Sequence, residues 1–294
     1  MNAIVLVDKP AGITSAEVVR RIKALVKPAR VGHLGTLDPF ATGLLPIMIG
    51  EATKLAPFIE SGDKEYEGTI RLGVETDTLD REGEEVATAA IPQIEQARLD
   101  EVAAQFTGEV QQVPPVFSAI KREGVPLYKR ARRGEEVEPP PPRTVTIKSL
   151  ELELAGDDSI TFRLVCGTGT YARSLARDVA IALGTVGHLC SLRRTRNGIF
   201  SIEDASPVDV IVAAMREGSN PKSVSLCEAL AEMPAVRIDA VLENRLRNGD
   251  SRALDTLVPP EGVPFRLVDA QGELVAVARP TSRVTAVIER IFNV

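Results

Sequence analysis

Two runs of alternating apolar and polar residues, TVTIKSLELEL and SITFRLVC, flank the turn AGDDS within residues 144–166. Period-two alternation gives each strand one buried and one wet face, and so short a loop allows only antiparallel pairing. The rest of the fold must accommodate this hairpin. AIVLV (3–7), LLPIMIG and EYEGTIRLGV read as further strands, and HLCSLRRTRNGIFSIEDA as two more with a turn at Asn197-Gly198. Apolar residues at helical spacing mark SAEVVRRIKALV (15–26), with Ser15 as its N-cap, and also LDEVAAQFTG, YARSLARDVAIALG and a short EATKLAPFIES. Strands and helices mix without strict βαβ alternation, so the class expected is α+β rather than doubly wound. After residue 233 the texture changes to a helix closed by Gly249 and a hairpin turning at Gln271-Gly272. We therefore expect a domain of residues 1–233 followed by a small β domain of 234–294.

With 44% hydrophobic residues the chain can bury a sizeable core. Three widely spaced cysteines and two histidines offer no metal-ligand cluster, so chemistry without a cofactor is expected. The five-residue apolar run at the start is too short for a secretion signal or a membrane span, which predicts a cytoplasmic protein. A net charge of -6 argues against a nucleic-acid partner until its distribution is considered. Residues 60–109 hold 14 acidic and 4 basic side chains, whereas residues 121–133 hold 6 basic ones and only Glu123. The basic stretch lies between proline-rich ends in an excursion spanning about 115–143, with Tyr128 among its cations. Stacking beside phosphate contacts is how RNA is commonly held, so Lys121, Lys129, Arg130, Arg132 and Arg133 are candidate RNA contacts, joined by Arg193 and Arg194 from SLRRTRNG. A solvated charged face is the plainer alternative.

Asp38 stands in VGHLGTLDPFATGLLPI without a charged neighbour. Asp-Pro alone is ordinary turn chemistry, yet three glycines and two threonines surround it at the end of an element, where sites are commonly built. In CGTGTYARSLARD, Gly167, Gly169 and Ala172 match a dinucleotide fingerprint, but the acidic residue expected some 20 positions later is absent. Tyr66 and Tyr171 are two of only three tyrosines. Arg173 is a helix-surface cation by default; facing Asp38, it would keep that carboxylate ionised and aimed.

LVDKPAGITS, VGHLGTLDPFATGLLPIMIGEATK, DKEYEGTIRLGVETDTLD, VPPVFSAIKREGVPLYKRARRG and CGTGTYARSLARD, ending in HLCSLRRTRNG, together resemble the TruB family of tRNA pseudouridine synthases. The resemblance covers the first 200 residues in order. It implies a pseudouridine synthase fold, with a mixed, largely antiparallel central sheet, flanking helices and a PUA-like C-terminal domain. It also implies isomerisation of uridine 55 in the tRNA T-loop, with no cofactor. Asp38 matches the catalytic aspartate, Tyr66 the active-site tyrosine, Arg173 the arginine paired with the aspartate, and Leu192 the apolar residue under the base. His33 resembles the histidine that fills the space left by the flipped nucleotide, Lys9 the lysine of the first motif, and Tyr171 joins the substrate-binding set. The expected partner is tRNA through its T-stem-loop, with no membrane, no obligatory protein partner and a monomeric chain.

The reaction breaks C1′–N1, turns the uracil and joins C1′–C5, so nothing is oxidised or hydrolysed and one carboxylate can suffice where a glycosidase needs two. Asp38 would act by covalent attack or by abstracting a proton towards a glycal; the sequence leaves both open. Two other functions compete. One is an RNA-binding module in which Asp38 is only a turn residue; the other is the guide-RNA-dependent relative that works inside a multiprotein particle.

Overall fold

The alternating segments assemble into a ten-stranded sheet in the computed structural model. The structure describes residues 1–60, 62–118, 120–122, 124–131, 133–135, 137–250, 252–258, 260, 262–282 and 285–293, with backbone only for Lys121, Pro126, Tyr128, Lys129 and Thr256. Across the sheet run Ser206–Pro207, Ala3–Lys9, Thr42–Ile49, Gly187–Asn197, Lys64–Leu72, Ser159–Cys166, Arg143–Gly156 and Gly108–Gln112. Ala3–Lys9 pairs in parallel with Ser206–Pro207, as does Thr42–Ile49 with Gly187–Asn197; the other neighbours are antiparallel. The class is thus α+β with a mixed, largely antiparallel sheet.

The hairpin of Arg143–Gly156 and Ser159–Cys166 sets Leu152 opposite Phe162. Leu150, Leu152, Ile160, Phe162 and Leu164 turn inward, and Glu151, Glu153, Thr161 and Arg163 outward. A bulge between Ile147 and Ser149 shifts the parity, so that Val145 and Ile147 also reach the core. Helices Gln96–Gln105 and Ala172–Ala182 bring Leu99, Val102, Leu175 and Val179 onto this apolar face. Each such buried side chain contributes roughly 1.5–3 kcal/mol.

Ala3–Lys9 is buried on both faces. Val5 and Val7 join the core under the helices, while Ile4 and Leu6 join a second core on the other side. That second core also takes Leu274, Val277 and Phe292 from the C-terminal region. There, Ala235–Arg237, Phe265–Val268, Leu274–Pro280 and Ala286–Ile291 form a separate four-stranded sheet around Phe265 and Leu267. The C-terminal sheet therefore has its own core and is also packed against the first sheet.

Two local expectations change, and one acidic stretch gains definition. Helix Ser15–Lys23 is capped by Thr14, whose hydroxyl accepts from the Glu17 amide, and not by Ser15. The order T-S-A-E carries that signal, since Glu17 stands three residues after Thr14, as in a capping box. The acidic ETDTLDREGEEV is mostly turn, and its two ends lie in a small sheet of Val74–Thr76 with Glu85–Thr88. The dinucleotide alternative fails because Ser159–Cys166 runs antiparallel to both neighbours, so no βαβ unit precedes helix Ala172–Ala182.

One strand edge determines where a site can form. Thr42 and Gly43 pair in parallel with Arg193 and Arg194, but Ile47–Ile49 pair on that same edge with Val31–His33. Between these two ladders the edge is finished by other groups: Arg194 Nε donates to Leu44 O (2.8 Å) and the Leu34 amide to Pro46 O (3.0 Å). Residues 34–41 loop out of this gap. Gly43 is required here, because at φ 99° a Cβ would lie 2.3 Å from the Arg194 carbonyl.

Candidate active site

The loop that carries Asp38 is fixed on both sides of it. Ser15 Oγ donates to Leu37 O (3.0 Å) and accepts from Leu37 N (2.9 Å). The Pro39 carbonyl accepts from the Gly12 amide (2.9 Å) and from Lys9 Nζ (3.2 Å). Lys9 also donates to Pro10 O and Ile13 O, both at 2.8 Å, and is fully buried. Burial pulls its ammonium down to about 8. The structure thus makes Lys9 a clamp on the loop.

Arg173, on the first turn of helix Ala172–Ala182, meets Asp38 side-on: Nε lies 2.9 Å from Oδ2 and Nη2 3.3 Å from Oδ1. Its remaining donors are also engaged. Nη1 donates to Thr78 O (3.0 Å) and Nη2 to Phe117 O (2.9 Å), and Nη1 lies 3.6 Å from Asp80 Oδ2. Two carboxylates therefore flank one guanidinium, a bidentate fork on one side and a looser contact on the other. The Arg173 side chain is 6% exposed and that of Asp38 34%, so the cation is sealed while the carboxylate faces outward. Burial pushes the Asp38 carboxyl above its ordinary range; Arg173 opposes that push, and Asp80 adds to it.

Asp80 was not distinguished in the sequence from the acids around it. Its Oδ1 accepts from Thr78 Oγ1 (2.7 Å) and the Glu82 amide (3.0 Å). The turn holding it passes through Leu79 at φ 61°, a left-handed conformation that costs a bulky residue about 1–3 kcal/mol. Leu189 holds that turn in place, donating its amide to Leu79 O and accepting from Arg81 N. The strained turn points the Thr78 carbonyl and the Asp80 carboxylate at Arg173.

A cavity of about 360 Å³ opens over Asp38, lined by Tyr66, Leu192, Tyr171, Phe117 and Ser118 among others. A larger hollow of about 520 Å³ shares Leu192 but holds neither Asp38 nor Arg173, so side-chain chemistry and not volume selects the site. Tyr66 comes from strand Lys64–Leu72 and Leu192 from its neighbour Gly187–Asn197. Burial pushes the Tyr66 phenol up, and Arg194 opposes the push. Tyr171 is held by the Gln112 amide, which accepts from Tyr171 N (2.8 Å) and donates to Tyr171 O (3.1 Å), while Arg143 stacks 4.8 Å from its ring. His33 lies on strand Val31–His33 outside this lining; its Nδ1 is buried without a partner, and burial together with Arg194 lowers its pKa.

The basic residues separate into distinct groups. Arg194 is fully buried, so it is no surface contact for RNA. Arg193 points the other way and pairs with Asp8 through both nitrogens, at 3.1 and 2.8 Å. Strand Lys121–Arg122 pairs with Val125–Pro126, and helix Leu127–Ala131 follows. Arg130 pairs with Glu135 at 2.7 Å, and exposed Arg133 approaches the same carboxylate at 3.8 Å. The side chains of Lys121 and Lys129, and all of Arg132, lie outside the described residues. Among the described residues no group of His, Cys, Asp and Glu side chains could hold a metal, and no helix is long and apolar enough to cross a membrane.

Residues 23–172 match the sequence profile of the TruB family pseudouridylate synthase N-terminal domain. tRNA pseudouridine synthase B of Burkholderia mallei (strain NCTC 10247) is 40% identical over 290 residues, 97% of this chain and 95% of the relative. The chain belongs to the TruB family of pseudouridylate synthases. Another family member, tRNA pseudouridine synthase B of Aromatoleum aromaticum, is 43% identical over 249 residues, covering 85% of this chain and 80% of that one. Among solved structures, a chain from a Cbf5-Nop10-Gar1 complex shares the fold with a TM-score of 0.72 at 24% identity, over 99% of this chain and 85% of its own. Within this family's fold, Asp38, Arg173, Tyr66 and Leu192 converge from four separate segments onto one cavity.

Proposed function

We propose that the chain is a tRNA pseudouridine synthase that isomerises uridine 55 of the T-loop. The observation that carries this reading is Asp38: a carboxylate on a clamped loop, gripped by sealed Arg173 and open to a cavity with Leu192 and Tyr66 in its lining. The target base is extruded from its stack into that cavity, at a cost of a few kcal/mol to the RNA. Tyr66 and Leu192 sandwich the uracil. Asp38 starts the break of C1′–N1, either by adding to the nucleotide or by removing a proton towards a glycal. The uracil turns, C5 joins C1′, and Tyr66 takes part in removing the C5 proton.

In the same reading residues 1–233 are the catalytic domain, and residues 234–294 are a PUA-like domain that holds RNA. The strand pair and helix within 121–131 grip the tRNA backbone. The protein acts in the cytoplasm as a monomer, without a cofactor or an obligatory protein partner. Purified protein incubated with an unmodified tRNA transcript is expected to place pseudouridine in the T-loop, detected by carbodiimide mapping and mass spectrometry. A T-loop left unmodified, with the tRNA bound, would leave a binding module or a guide-dependent enzyme in its place.

A further inference from the structure

Among the described residues Arg194 is the largest fully buried side chain, and no carboxylate there pairs with it. Its guanidinium donates to two backbone carbonyls, Leu44 O at 2.8 Å and Gly35 O at 2.9 Å, which hold it without neutralising it. A buried cation without a counter-ion costs several kcal/mol, so its retention calls for a reason. Burial of an arginine is not relieved by proton loss either, because guanidinium stays charged.

The reason lies across the strand. Arg194 and Tyr66 are direct antiparallel partners, which puts their side chains on one face, and both line the cavity that holds Asp38. Gly35 makes the approach possible, since a Cβ there would lie 3.1 Å from Arg194 Nη1. We propose that Arg194 is a positioning residue that supplies the counter-charge for Tyr66 when its phenol gives up its proton during the reaction. This rests on the reading of Tyr66 given above and goes beyond it by naming what makes a buried tyrosine able to act.

The proton balance explains the need. Isomerisation removes one proton from C5 of the uracil and adds one at N1. Tyr66 gives its phenolic proton to N1 of the detached base, and the phenolate then takes the proton from C5, whose bonding electrons return to the ring. The tyrosine ends as it began and no outside acid or base is used. Between those two transfers its oxygen carries a negative charge in a buried site, where only a fixed cation makes that charge tolerable. The other arginines of the lining are committed elsewhere: Arg173 grips Asp38 and lies 3.6 Å from Asp80, and Arg143 stacks on Tyr171. Asp38 has the wrong sign, Cys166 is held as a thiol with its pKa pushed up to about 11, and burial weakens Lys64 and His33 as cations. Glu60, which faces Lys64 and His33, is also of the wrong sign.

With three tyrosines and no tryptophan, the phenolate absorbance of the folded protein can be followed directly and Tyr66 assigned by difference from Tyr66→Phe. In Arg194→Gln, which can still donate hydrogen bonds but carries no charge, the Tyr66 transition is expected at least about one pH unit higher. Its single-turnover rate of product formation should fall at least tenfold and recover in part as pH rises, with tRNA affinity unchanged. Arg194→Lys keeps a charge and should hold the transition within half a unit and restore most of the rate. An unmoved transition in folded Arg194→Gln, or a rise of a unit or more in Arg194→Lys, overturns the pairing. If Arg194→Gln does not fold, the Lys variant decides alone. A normal rate in Tyr66→Phe would instead refute the role of Tyr66 while leaving the titration to judge the pair.

Discussion

The Asp38 loop and the described arginines between residues 122 and 133 are held in opposite ways. Asp38 sits between neighbours clamped by Ser15, Gly12 and Lys9, and its carboxylate meets an arginine with four different partners. The described arginines of the basic stretch pair instead with acids of the same stretch, Arg130 with Glu135 and Arg122 with Glu138. Surface pairs of that kind contribute about 0–1 kcal/mol, so phosphates can displace them cheaply. Under the proposed function, fixed geometry would suit the carboxylate that acts at one sugar, and weak, replaceable pairing would suit cations that track an RNA backbone.

Four tests would break or sharpen this contrast. Asp38→Asn should lower single-turnover product formation by about 10⁴-fold or more while leaving tRNA affinity within a few-fold. Appreciable turnover in that variant would remove Asp38 from the chemistry. Asp80→Asn leaves Arg173 its bidentate partner but frees one side of the guanidinium, and a rate loss of about 10²-fold is expected from misplacement of Asp38. An unchanged rate would mean that the loop clamps alone fix the geometry. Lowering the pH should slow the reaction by about tenfold per unit once Asp38 takes up a proton. Because its pKa is raised in the folded protein, that limb should bend at a pH above the ordinary 3.8, with the carboxylate active above the bend and lost below it. A bend at or below 3.8 would show that Arg173 outweighs burial. Arg133→Ala should weaken tRNA binding only several-fold and reduce the slope of log affinity against log salt by about one. A large loss of rate at saturating tRNA would instead tie this stretch to the chemistry.

Much of the architecture was legible because alternation and turn residues act locally: the hairpin of 143–166, the turn at Asn197-Gly198 and helix Ala172–Ala182 lie where the pattern put them. The site was less legible. No local pattern joins Asp38 to Arg173, and only the family resemblance did so. Asp80 was hidden among similar acids, because what distinguishes it is burial by a turn that docks on Leu189. Arg194 had a readable sign. On a strand it shares a face with Leu192, two residues back, and so points inward, whereas Arg193 points out to Asp8. Treating adjacent arginines as one basic patch ignored that period of two. Ser15 was misread because its hydroxyl reaches a loop 22 residues away, not its own helix.

The divided edge of strand Thr42–Ile49 also decides which partner must move. Sheet hydrogen bonds frame the gap at Thr42–Gly43 and at Ile47–Ile49, and residues 34–41 are tied between those anchors. The two ends of the loop that lines this wall of the cavity cannot move apart without breaking the sheet. If a base enters as proposed, this wall leaves that part of the conformational work to the RNA, and an RNA loop that already holds its uridine unstacked would start with some of it done.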